Sequence, residues 1–439
     1  MMRIKIAPKV LRILNKLHSA GFLAYAVGGC VRDSLLGTEP NDWDICTSAR
    51  PEDTASLFSH TVLTGAKYGT VTVIEDGEAF EITTFRSETG YCDQRHPEQV
   101  KFLSELEGDL SRRDFTINAM AADADGNVID LFDGLHDLRH GLIRCVGEPR
   151  ERFGEDALRI FRALRFASRL GFSVEPQTAK AIHESCQSLQ KVANERICKE
   201  LHLLCGKGAA DILREFSDVL CVIIPEIEPC IGFQQYNYHH KFDVFEHSLQ
   251  ALNAEKSGDF TLRLTMLLHD IGKPSVFFLD KNLVGHFYGH AAVGAFMAEK
   301  ILRRLRFDNA TIGAVTQLIA LHDYPMIGMT ERSMRRFLGK YGEKTFRDLL
   351  HVRCADRMGK GTDDDVAEFE ANMLELLRTV TKTEQPLQLG GADLLRLGVQ
   401  QGIEIGRILK TLQEAVYDGE VENSHDALVR FTQKMLKFN

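Results

Sequence analysis

The feature that most constrains this chain is a change of hydrophobic period near residue 138. Upstream, strand and helix patterns alternate. A helix is expected over Pro8–Ala20, an apolar strand over Phe22–Val27, a short helix after Gly28-Gly29 and a strand over Trp43–Thr47. Pro51 followed by Glu52 and Asp53 marks a helix start, because proline suits the first turn and carboxylates suit the positive end of the helix dipole. The β-rich runs Gly69–Glu75 and Ala79–Phe85 flank Asp76-Gly77, a good hairpin turn. After Asp137 the strand signals fade. Leu158, Phe161, Ala163, Leu164 and Phe166 recur at helical spacing, and the segments 171–225, 231–368 and 387–419 continue in the same manner. The expected class is α+β, a small mixed sheet with helices followed by an all-α remainder.

At 439 residues, 44% hydrophobic and 26% charged, with 11 Pro, the chain has core enough for two to four domains and no disordered or collagen-like composition. The opening Met-Met-Arg-Ile-Lys-Ile-Ala-Pro-Lys lacks an uninterrupted apolar stretch, and no later run nears the roughly 18 apolar residues of a membrane span. Membrane insertion and secretion are not expected. The ten cysteines are scattered with no Cys-x-x-Cys pair, which fits a reducing cytoplasm. A net charge of −9 argues against nucleic-acid binding by the whole surface. Segment 139–225 nevertheless carries 14 Lys plus Arg against 11 Asp plus Glu, so +3, and is the candidate contact for a polyanion.

Three groups of residues carry chemistry. Gly28-Gly29-Cys30-Val31-Arg32-Asp33 places two glycines between a strand and a helix, where backbone amides and Arg32 suit phosphate oxygens; a plain tight turn explains the glycines equally. Asp42-Trp43-Asp44 reads as a strand whose carboxylates share a face. They are either solvated or relieved by a cation, with Mg²⁺ favoured by oxygen donors. Glu81, on a later strand, can face the same place. In Arg112-Arg113-Asp114-Phe115-Thr116-Ile117-Asn118-Ala119 the polar front and apolar rear suggest a loop feeding a buried helix, with Arg113 in reach of a phosphate or ribose and Asp114 as an N-terminal cap. On a helix, Asp156, Arg159 and Arg162 stand three apart on neighbouring faces. Asp accepts and Arg donates, so the pair Asp156/Arg159 can match the amino group and ring nitrogen shared by cytosine and adenine; a simple intrahelical salt bridge is the other reading.

These motifs, with Asp130-Leu131-Phe132-Asp133-Gly134, Glu155-Asp156-Ala157-Leu158-Arg159 and Asn194-Glu195-Arg196-Ile197, resemble in order those of bacterial class II tRNA nucleotidyltransferases, the CCA-adding enzymes. The resemblance implies a polymerase-β-like head with catalytic Asp42 and Asp44, to which Glu81 is added as a catalytic candidate by its strand position. It also implies Mg²⁺ at the two aspartates, triphosphate and sugar contacts from Gly29, Arg32 and Arg113, and base selection by Asp156 and Arg159. Arg162 and Arg165 are nucleotide-contact candidates by the same matching. The expected reaction adds CCA to tRNA from CTP and ATP; A-only addition and poly(A) synthesis are the variants within the family. Arg86–Val100 resembles the mobile loop that CC-adding members lack, which favours complete CCA or A-only addition.

His247, His269-Asp270 and Asp356 resemble the ligand set of the HD phosphohydrolase superfamily, with His290 and His322 lying between. That resemblance implies a second divalent metal and, as a rival activity, metal-dependent phosphoester hydrolysis. His240, in Asn237-Tyr238-His239-His240, departs from the usual Asn-Pro-Tyr-His. The glycine-punctuated tail resembles the family's C-terminal helical region, which implies a tRNA contact. The expected division is a catalytic head over 1–138, a helical neck over 139–225, an HD domain over 226–368 and a tail over 369–439.

Overall fold

A computed structural model describes residues 2–89, 99–206, 208–237, 241–361, 365–383, 386–417 and 419–437. The chain divides into two compact units, 1–228 with 301–308, and 229–300 with 309–439.

The first unit begins with α1 (Pro8–Ser19), β1 (Ala24–Val27), α2 (Gly29–Leu35), β2 (Asp44–Thr47), α3 (Pro51–Leu57) and β3 (Thr61–Val62). It continues through β4 (Thr70–Glu75), β5 (Glu78–Thr84), β6 (Arg86–Thr89), β7 (Gln99–Phe102), α4 (Leu106–Ser111), β8 (Met120–Ala122), β9 (Val128–Asp130) and α5 (Gly134–His140). The main sheet runs β3-β4-β5-β2-β1-β8-β9 and is mixed, since β2 pairs parallel with β5 while the other neighbours are antiparallel. The β4–β5 turn places Asp76 and Gly77 at φ 50° and 77°, both in the left-handed region that a tight two-residue hairpin requires. A buried cluster joins Val27, Cys46 and Ala121 of the sheet to Leu106 and Leu110 of α4, with Phe85 and Val146. Strands β6 and β7 form a separate ribbon, with Thr89 opposite Gln99; residues 90–98 of the expected mobile loop lie outside the described residues.

Beyond residue 138 the unit is helical apart from the two-residue strands β10 (Leu142–Ile143) and β11 (Ser173–Val174). Its helices are α6 (Pro149–Glu155), α7 (Leu158–Leu170), α8 (Pro176–Ser185), α9 (Asn194–Leu204), α10 (Ala209–Glu215) and α11 (Ser217–Ile223). Helix α7 buries Leu158, Phe161 and Leu164 and stops at Gly171, whose φ of 69° supplies the left-handed cap that closes many helices.

The second unit holds α12 (Val244–Ala254), α13 (Phe260–Leu268), α14 (Lys273–Val276), the hairpin β12 (Phe278–Leu279) and β13 (Gly285–His286), and α15 (His290–Arg304), whose last residues fall in the first unit. It continues with α16 (Asn309–Leu321), α17 (Glu331–Gly359, kinked at Gly342), α18 (Val366–Thr383), α19 (Gly391–Arg396), α20 (Ile403–Tyr417) and α21 (His425–Lys437). A separate apolar cluster, including Leu389, Leu394, Leu412 and Leu428, holds the last helices together. Among the described residues no helix is long and apolar enough to cross a membrane, and the cysteines form no disulfide.

Three local expectations need correction. Strand β2 starts at Asp44, so Asp42 precedes it and strand alternation does not place the two carboxylates on one face. The Arg112–Ala119 segment leads through a single 3-10 turn into strand β8 rather than into a buried helix, and Asp114 caps no helix. Asp156 lies between α6 and α7 with extended backbone, φ −144° and ψ 103°, so it shares no helical face with Arg159.

Candidate functional site

Strand β1 ends in the Gly28 turn, whose φ of 85° and ψ of −129° suit glycine, and α2 follows at once. A Cβ on Gly28 would stand 2.8 Å from the Arg113 guanidinium, so the missing side chain is also what admits Arg113. Behind it, buried Asp109 holds Arg112 at 2.7 Å and Arg113 at 3.5 Å, which orients both arginines. Asp44 opens β2 nearby. Desolvation raises its carboxyl above the usual range and the Asp42 charge adds to this, while Arg113 opposes it. The parallel register pairs Ile45 with Ile82, so Glu81 on β5 takes the same face as Asp44.

A second network links this turn to α7. Arg32, only 6% exposed, donates to Asn118 Oδ1 at 2.6 Å, and Asn118 Nδ2 donates to Asp114 Oδ1 at 3.2 Å. Arg162 donates to Asp114 Oδ2 at 2.6 Å. Burial alone would raise Asp114, but the Arg162 charge and hydrogen bond outweigh it and hold the carboxyl at about 2. Arg165 pairs with Glu200 at 2.6 Å. The guanidinium carbons of Arg32, Arg162 and Arg165 stand 5.1, 5.6 and 4.1 Å from the Phe166 ring, within cation–π reach.

The Arg159 backbone N–H donates to the Asp156 carbonyl at 3.0 Å, but the two side chains take other partners. Asp156 accepts from Arg196 at 2.7 Å and from the Leu158 backbone N–H at 3.1 Å. Arg159 pairs with Glu155 and donates to the Arg112 carbonyl at 3.1 Å, tying the start of α7 to the Arg112-Arg113 segment. Acceptor and donor are thus each fixed by a third residue. Sequence reasoning gave no role to Asp109, Asn118, Phe166 or Arg196. Arg196 stood inside a quoted motif, but its partner lies 40 residues away.

The second unit carries a buried cluster. His247 Nε2 lies 3.2 Å from His269 Nε2, 3.1 Å from Asp356 and 3.4 Å from Asp270. His290 Nε2 lies 3.1 Å from His322 Nε2 and 3.3 Å from the other oxygen of Asp270. The Nδ1 atoms of His269, His290 and His322 face the carbonyls of Met266, Phe287 and Ile319 at 2.8, 2.8 and 2.7 Å. A ring that donates through Nδ1 presents a lone pair at Nε2. Paired Nε2 atoms near 3 Å repel unless a proton or a metal ion lies between, and neutral imidazole with carboxylate is a transition-metal donor set. Two triads, His247/His269/Asp270 and Asp270/His290/His322, each gather ligand atoms within 4.8 Å, with Asp270 common to both. Burial would lower the His269 imidazole, but Asp270 and Asp356 raise it to about 10. Lys273 stands 2.6 Å from Asp270 and was not singled out from sequence, although it sits one turn away. His240 lies outside the described residues.

With this geometry in view, the relatives are informative. Residues 24–144 match the Poly A polymerase head domain, 171–230 an RNA- and SrmB-binding site of polymerase A, and 291–432 tRNA nucleotidyltransferase domain 2. The class is that of nucleotidyltransferases built on this head. The CCA-adding enzyme of Limosilactobacillus fermentum is 35% identical over 97% of this chain and 96% of its own length. That of Levilactobacillus brevis is 38% identical over 95% of each. The structure of the Bacillus stearothermophilus CCA-adding enzyme in complex with CTP aligns over 99% of this chain and 100% of its own, at 30% identity and a TM-score of 0.72. The Thermotoga maritima CCA-adding enzyme complexed with tRNA shares the fold at 20% identity and a TM-score of 0.63. The chain belongs to the family of CCA-adding enzymes.

Proposed function

We propose that the chain adds C, C and A to tRNA 3′ ends from CTP and ATP, without a nucleic-acid template, and releases pyrophosphate. The observation that carries this reading is the convergence of Asp44, Arg113 and the Gly28 turn with the arginines of α7 through Asn118 and Asp114. The RNA 3′-hydroxyl oxygen attacks the α-phosphorus. Its bond to phosphorus forms as the bond to the pyrophosphate oxygen breaks, and the hydroxyl proton passes to solvent. Asp42 and Asp44 hold Mg²⁺, with Glu81 beside them. The fit is supported by the oxygen donors themselves: desolvation, with a smaller part from the Asp42 charge, raises the Asp44 carboxyl, and a cation would relieve both. Such an ion offsets the charge on the reacting oxygens and favours loss of the hydroxyl proton.

Gly29, Arg32 and Arg113 take the triphosphate and sugar, Asp156 and Arg159 choose the base, and Arg162 and Arg165 assist. Asp156 accepts from the exocyclic amino group and Arg159 donates to the ring nitrogen, which admits C and A and refuses U and G. In this scheme 1–138 is the catalytic head, 139–225 the neck, 226–368 the HD domain and 369–439 a tail that contacts tRNA. Among the described residues the cysteines form no disulfide, which suits a cytoplasmic setting. Asp42→Asn keeps the shape and removes one charge; single-turnover incorporation of CTP should fall by at least about a thousandfold, a loss of roughly 4 kcal/mol in the transition state. Turnover equal to that of the unmodified chain overturns the assignment.

A second activity is favoured by the histidine cluster. His247, His269, Asp270 and Asp356 hold a divalent metal, with His290 and His322 extending the set, and the site hydrolyses phosphate esters. Water supplies the oxygen that bonds to phosphorus, the ester P–O bond breaks, and the leaving alcohol takes the proton. His269→Ala separates the two activities: it should abolish ester hydrolysis and metal uptake while leaving nucleotide addition in place.

A further inference from the structure

Helix α7 carries Arg162 and Arg165, and α2, which begins at the Gly28-Gly29 turn, carries Arg32. Each guanidinium has a carboxylate of its own: Asp114 at 2.6 Å from Arg162, Glu200 at 2.6 Å from Arg165 and Asp33 at 2.7 Å from Arg32. The carboxylates differ, whereas one ring is common to all three. Buried Phe166 has the guanidinium carbons of Arg165, Arg32 and Arg162 at 4.1, 5.1 and 5.6 Å from its centroid. It follows Arg162 by one helical turn and so shares that face of α7, while Arg32 reaches it from α2. Phe115 packs against the same ring at 5.8 Å with the planes 79° apart. The side chains of Arg32 and Arg165 are only 7% and 9% exposed, so little water screens the repulsion among these cations. Crowding shows at Arg165: desolvation lowers its guanidinium below the usual range, Glu200 opposes this and the Arg162 charge adds to it.

An aromatic face attracts a cation through its quadrupole, and more strongly where water is excluded. We propose that Phe166 is a positioning residue for nucleotide addition: its ring gathers Arg32, Arg162 and Arg165 into one cluster ready for the incoming nucleotide. The inference rests on the reading of these arginines as nucleotide contacts, and the ring acts through them. A carboxylate tethers a single arginine to its own surroundings, so without the attraction of the ring three tethered cations draw apart. The ring also spans two elements. It joins α2, which opens at the glycine turn, to α7, whose first turn carries Arg159, and so sets the distance between the phosphate end of the site and the end that selects the base. A packing role alone would be served by any ring of the same shape, whereas this role depends on the electron density of the ring face.

The test replaces Phe166 in the full chain by 4-fluoro-, 3,5-difluoro- and 3,4,5-trifluorophenylalanine, which keep the ring and withdraw density from its face step by step. CTP addition to a tRNA transcript ending at the discriminator base, with Mg²⁺, is then followed at varied CTP. KM for CTP should climb with each fluorine to about tenfold in the trifluoro form, with kcat moved by less than about twofold. The same series at Phe115 reports packing and should leave KM within about twofold of the unmodified chain. A KM independent of fluorine content, or an equal climb from both rings, overturns the positioning role. Arg162→Gln and Arg165→Gln judge the underlying reading separately, and each should raise KM for CTP at least about tenfold. If both do so while the Phe166 series is flat, the arginines bind nucleotide and the ring does not position them. If neither does, the nucleotide-contact reading fails and the proposal falls with it.

Discussion

Phe166 organises the arginines at the residue scale. Arg32 comes from the helix after the glycine turn and Arg162 and Arg165 from α7, yet all three guanidinium groups lie within 6 Å of its ring. Like charges gathered so closely repel, and buried carboxylates offset them: Asp114 against Arg162, Glu200 against Arg165. Asp114 is 8% exposed and its carboxyl is held at about 2, below the ordinary 3.8. A lowered carboxyl stabilises the fold fully above its unfolded value and loses that contribution as pH falls through the folded value. The contribution, about 2 kcal/mol, is therefore present at pH 5 and disappears between about pH 4 and 2. Asp114→Asn should lower the urea midpoint at pH 5, and the gap to the unmodified chain should close as the solution is acidified. A gap independent of pH would assign the cost to packing rather than to charge.

At the scale of elements, short-range signals were legible and long-range ones were not. The Gly28-Gly29 turn, the Asp76-Gly77 hairpin and helix α7 depend on local backbone preference and hydrophobic period, and they stand near where the sequence puts them. Asp156 was misplaced because a helical pattern read through it, whereas the extended residue is held outside the helix by Arg196 from α9. That tie, like Asp114 to Arg162 over 48 residues, leaves no periodic trace. Four ligands of the histidine cluster, Asp270 among them, were named from motif likeness, but the sharing of Asp270 by both triads and the fixed ring orientations appear only in three dimensions. The Gly28 turn shows how tightly an element constrains the site. Gly28→Ala places a Cβ 2.8 Å from Arg113 Nη1 at a φ of 85°. The strain should cost about 1–3 kcal/mol of stability, seen in the urea midpoint, and displacement of Arg113 should slow CTP incorporation at least about tenfold. A variant that loses stability but not rate would mean that Arg113 tolerates the shift.

For the whole molecule, the balance of charge bears on how RNA is held. A chain of net charge −9 does not attract a polyanion by its average field, so the proposed RNA contact is assigned to a locally basic stretch of sequence, 139–225 at +3. The two compact units carry separate chemistry: the carboxylates and arginines in the first, the histidine cluster in the second. The central claim is that the first unit builds CCA in order and then stops. Its direct measurement gives purified protein three tRNA transcripts, ending at the discriminator base, at C and at CC, with Mg²⁺, CTP and ATP, and sequences the product ends. Every transcript finishing in a single CCA is the predicted result. Extension of the CC transcript alone, long A runs, or no extension of any transcript would contradict it.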